Sequence, residues 1–152
     1  MRKIKIKNVF MFLLFLLIYI LPFFFIEFNQ DFYNSLNKIN IPSIVFRIVW
    51  SILYSLMALY LVLIYDSLTL KNKRLIVYLI INYFANVLYV LLFFEFEQLF
   101  LPFVMCAISF ISILFAWMET LLINKKLSYL LVPNVLWSLF ACVLSGYVFL
   151  FN

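Results

Sequence analysis

The chain has 152 residues, 69% of them hydrophobic, 22% aromatic and only 11% charged, with a mean hydropathy of +1.20. A soluble domain carries about 25% charged residues, and one of this length has too little interior to hide so much apolar surface, so a soluble globular fold is excluded. Apolar residues come in blocks long enough to span a bilayer, and there is one glycine; a barrel would alternate lipid-facing and lumen-facing residues. The fold class is therefore all-α, a polytopic membrane protein built as a five-transmembrane-helix bundle in a single domain, 1–152.

The first helix is expected over 8–26. The basic cluster Arg2, Lys3, Lys5 and Lys7 before it has the order of a secretory signal, but the run reaches spanning length and no small-x-small cleavage pattern follows. Pro22 lies near its far end, where a kink is tolerated. A lid loop, 27–42, contains the longest polar interval, EFNQDFYNSLNKIN. Phe32, Tyr33 and Leu36 fall on one side of a short amphipathic helix that would lie across the mouth of the bundle; a plain connector is the alternative.

The second helix, 43–65, has Pro42 at its start and carries Arg47, Trp50 and Tyr54 within the apolar run. At 100° per residue Phe46, Trp50, Tyr54 and Met57 share one stripe, the pattern of a helix that lines an interior. After a polar loop at 66–74, the third helix, 75–94, holds Asn82 and Asn86 one turn apart, with Tyr78 and Tyr89 on the same stripe. Carboxamides in hydrocarbon need partners. Here they serve either as glue between helices or as ligand contacts.

A very short turn at 95–98 sets the fourth helix, 99–123, antiparallel to the third. Its small residues Ser109, Ser112 and Ala116 recur at i, i+3 and i+7, a seam for close helix packing or for a homodimer contact. The fifth helix, 129–151, lines up Trp137, Ala141 and Leu144 on one face, with Pro133 on nearly the same side.

Without histidine there is no serine–histidine dyad, no imidazole metal ligand and no ordinary proximal ligand for haem. Cys106 and Cys142 lie in separate apolar runs and read as packing residues. No metal site and no cofactor are expected. If five helices alternate, Arg2, Lys3, Lys5, Lys7, Lys71, Lys73, Arg74, Lys125 and Lys126 fall on one side, and Lys38 and Arg47 on the other. That asymmetry places the N-terminus in the cytoplasm and the 27–42 loop and C-terminus outside. The net charge of +5 then reflects topology and anionic membrane lipid, and no nucleic acid partner is expected.

Three separated stretches resemble the translocator protein family, also called tryptophan-rich sensory proteins or peripheral-type benzodiazepine receptors. VWSILYSLMALYLV (49–62) resembles its second-helix signature, INYFANVLYVLLFF (81–94) its third helix with Asn82 at the family asparagine, and LLVPNVLWSLFACVLSGYVFLFN (130–152) its fifth helix with a terminal asparagine. The resemblance implies a five-helix protein that binds porphyrins such as protoporphyrin IX, or other flat hydrophobic molecules, as sensor or transporter. It implies a pocket of Trp50, Asn86, Tyr89, Trp137 and Ala141 under the first loop, with Tyr33 in the lid. Phe46 shares the Trp50 stripe, and broad π faces suit a tetrapyrrole. Arg47 either meets a propionate or snorkels to headgroups.

Some bacterial members degrade protoporphyrin in light and oxygen through two pocket tryptophans, and Trp50 and Trp137 match those positions. Catalysis by this pair is the alternative to a purely walling role. The chain departs from the family in a shortened first loop (38–46), in Asn134, Ala85 and the Met105–Cys106 region, and in lacking the animal cholesterol pattern after Tyr147. A loose match to that pattern occurs at 63–71 through Tyr65. A bacterial cytoplasmic membrane is the expected location.

Overall fold

The computed structural model describes residues 6–39, 41–66 and 72–152. Arg2, Lys3, Lys5, Asn40, Lys71 and most of the 66–74 loop, with the end of the loose match at 63–71, lie outside the described residues. The chain is a multi-pass membrane protein of helices: α1 (Ile6–Ile20), α2 (Gln30–Ser35), α3 (Ser43–Asp66), α4 (Lys73–Val90), α5 (Phe100–Ile123), α6 (Lys125–Ser128) and α7 (Val132–Phe151). Among the described residues, five helical stretches are long and apolar enough to cross a bilayer: Ile6–Phe24, Ile44–Tyr65, Lys73–Glu95, Phe100–Ile123 and Lys125–Phe151.

Local chemistry sets the ends. Pro22 sits in the first turn of a 3-10 segment, Leu21–Phe24, and lacks the N–H that would continue the α ladder, so α1 stops before 26. The Asn72 side chain accepts from the amides of Arg74 and Leu75 at 3.1 and 3.3 Å and caps α4. Past Val90 the ladder widens into a π-turn, Leu91–Glu95. Asn124 caps α6 in the same way, through Lys126 and Leu127. Because Pro133 is preorganised for a first turn, α7 starts at Val132, and the 125–128 stretch before it is a separate helical turn.

Side-chain contacts close the spans into a ring. α1 meets α3 where Tyr19 stacks on Tyr54 at 5.5 Å. α3 meets α7 through Trp50 and Trp137 at 6.5 Å. α7 meets α5 through the stacked rings of Phe103 and Phe149, 6.0 Å apart, and α5 meets α4 where Asn82 donates to Ser109. The ring closes where the Tyr83 hydroxyl donates to the Ile18 carbonyl at 3.1 Å. Spatial order is thus α1, α3, α7, α5, α4.

The tightest core is built from Tyr19, Met57, Tyr60, Ile64, Leu75, Ile113, Ala116 and Leu131. Along α3 the interior stripe therefore passes from Phe46, Trp50 and Tyr54 into the core at Met57, Tyr60 and Ile64. The Ser109–Ser112–Ala116 seam is buried inside the chain, and small side chains there let α4 and α7 approach α5 closely. Among the described residues, one end of the bundle carries Lys7, Lys73, Arg74, Lys125 and Lys126, and the other carries Glu27, Asp31, Lys38, Glu95 and Glu97.

Candidate functional site

The stripe on α3 and the face of α7 supply one wall. The Trp137 ring stands edge-on to Trp50, with centroids 6.5 Å apart, and also touches Phe46 at 5.9 Å and Phe140 at 5.2 Å. Trp50 continues into Tyr54 at 5.2 Å, and Tyr54 into Tyr19. The Nε1 of Trp137 is buried and has no hydrogen-bond partner among the described residues. Leaving an indole N–H unpaired in a low-dielectric interior costs about 1–3 kcal/mol, and the Nε1 of Trp117, packed against the core, shares this state.

The second wall comes from α4. Asn82 donates to both the carbonyl and the hydroxyl of Ser109 at 3.0 Å, so it ties α4 to α5. The Asn86 amide turns back on its own helix, donating to the Asn82 carbonyl at 2.8 Å and side-chain oxygen at 3.3 Å. One turn on, the Tyr89 hydroxyl lies near Ser145 on α7, with Cys106 and Tyr33 also close. One face of α7 therefore carries Trp137, Ala141 and Ser145, and continues to exposed Asn152 at the helix end, at multiples of one turn.

The π-turn re-aims the end of α4. Its extra residue rotates the helix so that Phe93 is buried and stacked on Tyr89 at 5.9 Å, while Phe94 is turned to the 27–39 segment. Phe93 then meets Phe32 at 5.7 Å, and Phe94 meets Phe28 at 4.7 Å and Tyr33 at 6.1 Å. Partial burial raises the Tyr33 phenol above its ordinary value, so at neutral pH it is an uncharged donor. A cleft of about 220 Å³ lies beside these rings, lined by Glu27, Phe28, Asn29, Phe94 and Glu95.

The 27–39 segment is a strap with two fastenings. Asn29 caps α2 by accepting from the Phe32 amide at 3.0 Å, and its own amide donates to the Glu97 carboxylate at 2.7 Å. Glu97 has a φ of 52°, a left-handed turn conformation costing a non-glycine residue about 1–2 kcal/mol. At the other end the Asn37 amide donates to Asn152 Oδ1 at 2.7 Å, and Asn152 Nδ2 donates to the Asn37 carbonyl at 3.0 Å.

The expected site residues thus fall in three places. Phe46 and Trp50 both contact Trp137. Tyr33 and Tyr89 belong to the strap-side cluster, linked through Phe93 and Phe94, and Tyr89 reaches the α7 face that carries Ala141. Asn86 is half-buried and bonded within α4, while Arg47 is exposed on α3. Sequence reasoning missed Phe93, Phe94, Ser145 and the role of Asn152. The π-turn has no residue signature, and Ser145 and Asn152 become visible only by extending the Trp137–Ala141 stripe in steps of one turn.

Comparison with known proteins agrees with this architecture. The chain is 29% identical over 126 residues to the tryptophan-rich protein TspO of Bacillus cereus, covering 82% of each chain. It is 31% identical over 120 residues to the uncharacterized membrane protein YtaB of Bacillus subtilis, covering 77% of each. The family model described as the TspO/MBR family matches residues 9–150, and the chain belongs to that family.

Proposed function

We propose that the protein binds protoporphyrin IX or a related flat hydrophobic ligand within the membrane, as a sensor or transporter. The observation that carries this is the Trp50–Trp137 contact between two helices, walled by Phe46 and Tyr54 and holding a buried, unpartnered indole N–H. A tetrapyrrole offers π faces to such rings and acceptor atoms to that N–H. The indoles stand edge to face, so a macrocycle stacking between them must part them first. Asn86, Tyr89 and Ala141 supply the facing side, Tyr33 the cover, and Arg47 a cation for a propionate.

Protoporphyrin IX titrated into the detergent-solubilised protein is expected to quench tryptophan fluorescence saturably. Trp50→Phe combined with Trp137→Phe should weaken binding by about tenfold, as expected from two lost aromatic contacts. Absence of saturable quenching in the parent protein overturns the reading.

A second reading is favoured by the continuous run of rings from Trp137 through Trp50 and Tyr54 to Tyr19, which suits an indole-centred photo-oxidation of bound porphyrin by molecular oxygen. Under illumination in air it requires loss of the porphyrin absorbance band that depends on Trp50 and Trp137. An unchanged band leaves a binder.

The same reading sets the basic end of the bundle in the cytoplasm and the strap outside, in a bacterial cytoplasmic membrane. With the Ser109–Ser112–Ala116 seam buried within the chain, a homodimer would use another surface.

A further inference from the structure

The two fastenings of the strap are unequal. At the Asn29 end the hydrogen bond to Glu97 is backed by three aromatic contacts, Phe28 and Tyr33 on Phe94 and Phe32 on Phe93. At the Asn37 end the hydrogen-bonded hold on α7, among the described residues, is the reciprocal pair with the Asn152 carboxamide, which copies the donor and acceptor of a paired backbone. Both residues are exposed, so water competes for these two bonds, whereas apolar burial at the other end does not exchange with water in this way.

The strap is also internally braced. Lys38 Nζ donates to the Tyr33 carbonyl and lies over the Tyr33 ring at 4.4 Å. Ser35 donates to the Phe32 carbonyl at 2.7 Å. A lysine folded back on the last carbonyls of α2 steadies the tail against the helix end. Asn152 is fixed in its turn, because its Nδ2 also donates to the Val148 carbonyl at 2.8 Å.

We infer that the strap opens at Asn37, with Asn152 as its catch and the ring contacts of Phe28, Phe32 and Tyr33 as its fixed anchor, and that this motion sets the rate of ligand entry. The inference rests on the ligand-binding reading above. Release at Asn37 leaves the three ring contacts in place, whereas release at Asn29 would have to pull those rings out of contact. Asn37 takes part through its backbone alone, which gives an unusual expectation: replacing Asn37 is harmless and replacing its partner is not.

The test is amide hydrogen exchange on the full chain in lipid nanodiscs, together with stopped-flow tryptophan quenching by protoporphyrin IX. In Asn152→Ala, exchange at 36–39 is expected to rise about tenfold, the scale of two exposed hydrogen bonds, with 28–33 unchanged. Porphyrin association and dissociation should both quicken several-fold, leaving Kd within about twofold. Asn37→Ala should match the parent protein in every measurement. Unchanged exchange in Asn152→Ala, or an equal rise at both ends of the strap, overturns the catch. Faster exchange with parental porphyrin rates overturns the gating role. If the parent protein does not bind porphyrin, the ligand reading and the gating of that ligand fall together, and the exchange data decide the catch independently.

Discussion

Tyr60 and Thr120 share a 2.7 Å hydrogen bond between α3 and α5, in the most deeply buried part of the bundle. The Thr120 hydroxyl gives its one proton to the Ala116 carbonyl at 2.7 Å, so Tyr60 must be the donor to Thr120. This asymmetry predicts unequal mutants. Thr120→Val strands a buried phenol donor and should destabilise by about 1–3 kcal/mol, while Tyr60→Phe removes the donor along with its need and should cost about 1 kcal/mol or less. Thermal unfolding in detergent checks the order, and the double mutant should fall short of the sum of the singles.

Gly146, the one glycine, marks the close approach of α7 to α5. A Cβ there would stand 3.0 Å from Phe103 Cε2, and Phe103 is already stacked on Phe149. Gly146→Ala gains helix propensity of about 1 kcal/mol and loses a similar amount to the displaced ring, so it should be nearly neutral. Gly146→Leu should destabilise by about 1–3 kcal/mol, and Phe103→Ala in the same chain should recover part of that loss. Melting temperatures of the three variants decide it.

The two asparagines of α4 should separate stability from binding. Asn82→Ala removes both bonds to Ser109 and an acceptor for Asn86, and is expected to cost about 1 kcal/mol of stability. Asn86→Ala breaks only bonds within its own helix. It should leave the melting temperature within about 1 °C, a change that corresponds to only a few tenths of a kcal/mol. A change in porphyrin affinity with no change in melting would assign Asn86 to the ligand; an unchanged affinity removes it from the site.

Orientation is checked by labelling in intact cells. In a chain with Cys106→Ala and Cys142→Ala, a cysteine at exposed Asn34 on α2 should react with an impermeant maleimide from outside. One at exposed Lys126 on α6 should react only after permeabilisation. The reverse pattern would invert the topology.

Composition and periodicity were enough for the architecture, because lipid leaves the backbone few choices: every N–H and C=O must be paired within its own span. The α3 stripe was legible for the same reason. Phe46, Trp50, Tyr54 and Met57 lie one turn apart, and a helix keeps that phase wherever it packs. The Trp137–Ala141 face on α7 followed the same rule, though it ran further than expected, through Ser145 to Asn152.

What the tertiary structure alone decided is how these faces meet and what fastens them. Periodicity assigns each helix a face but not a neighbour, so the contact of Trp50 with Trp137, across a separation of 87 residues, depends on the ring order α1, α3, α7, α5, α4. The π-turn that brings Phe93 and Phe94 under the strap breaks the 3.6-residue phase on which any stripe is read. Asn29 and Glu97, and Asn37 and Asn152, are polar residues at helix ends, and nothing in their spacing announces a partner 68 or 115 positions away. A single such hydrogen bond is worth about 1 kcal/mol, too little to shape composition. It is enough, in a folded bundle, to decide where a strap is held and where it lets go.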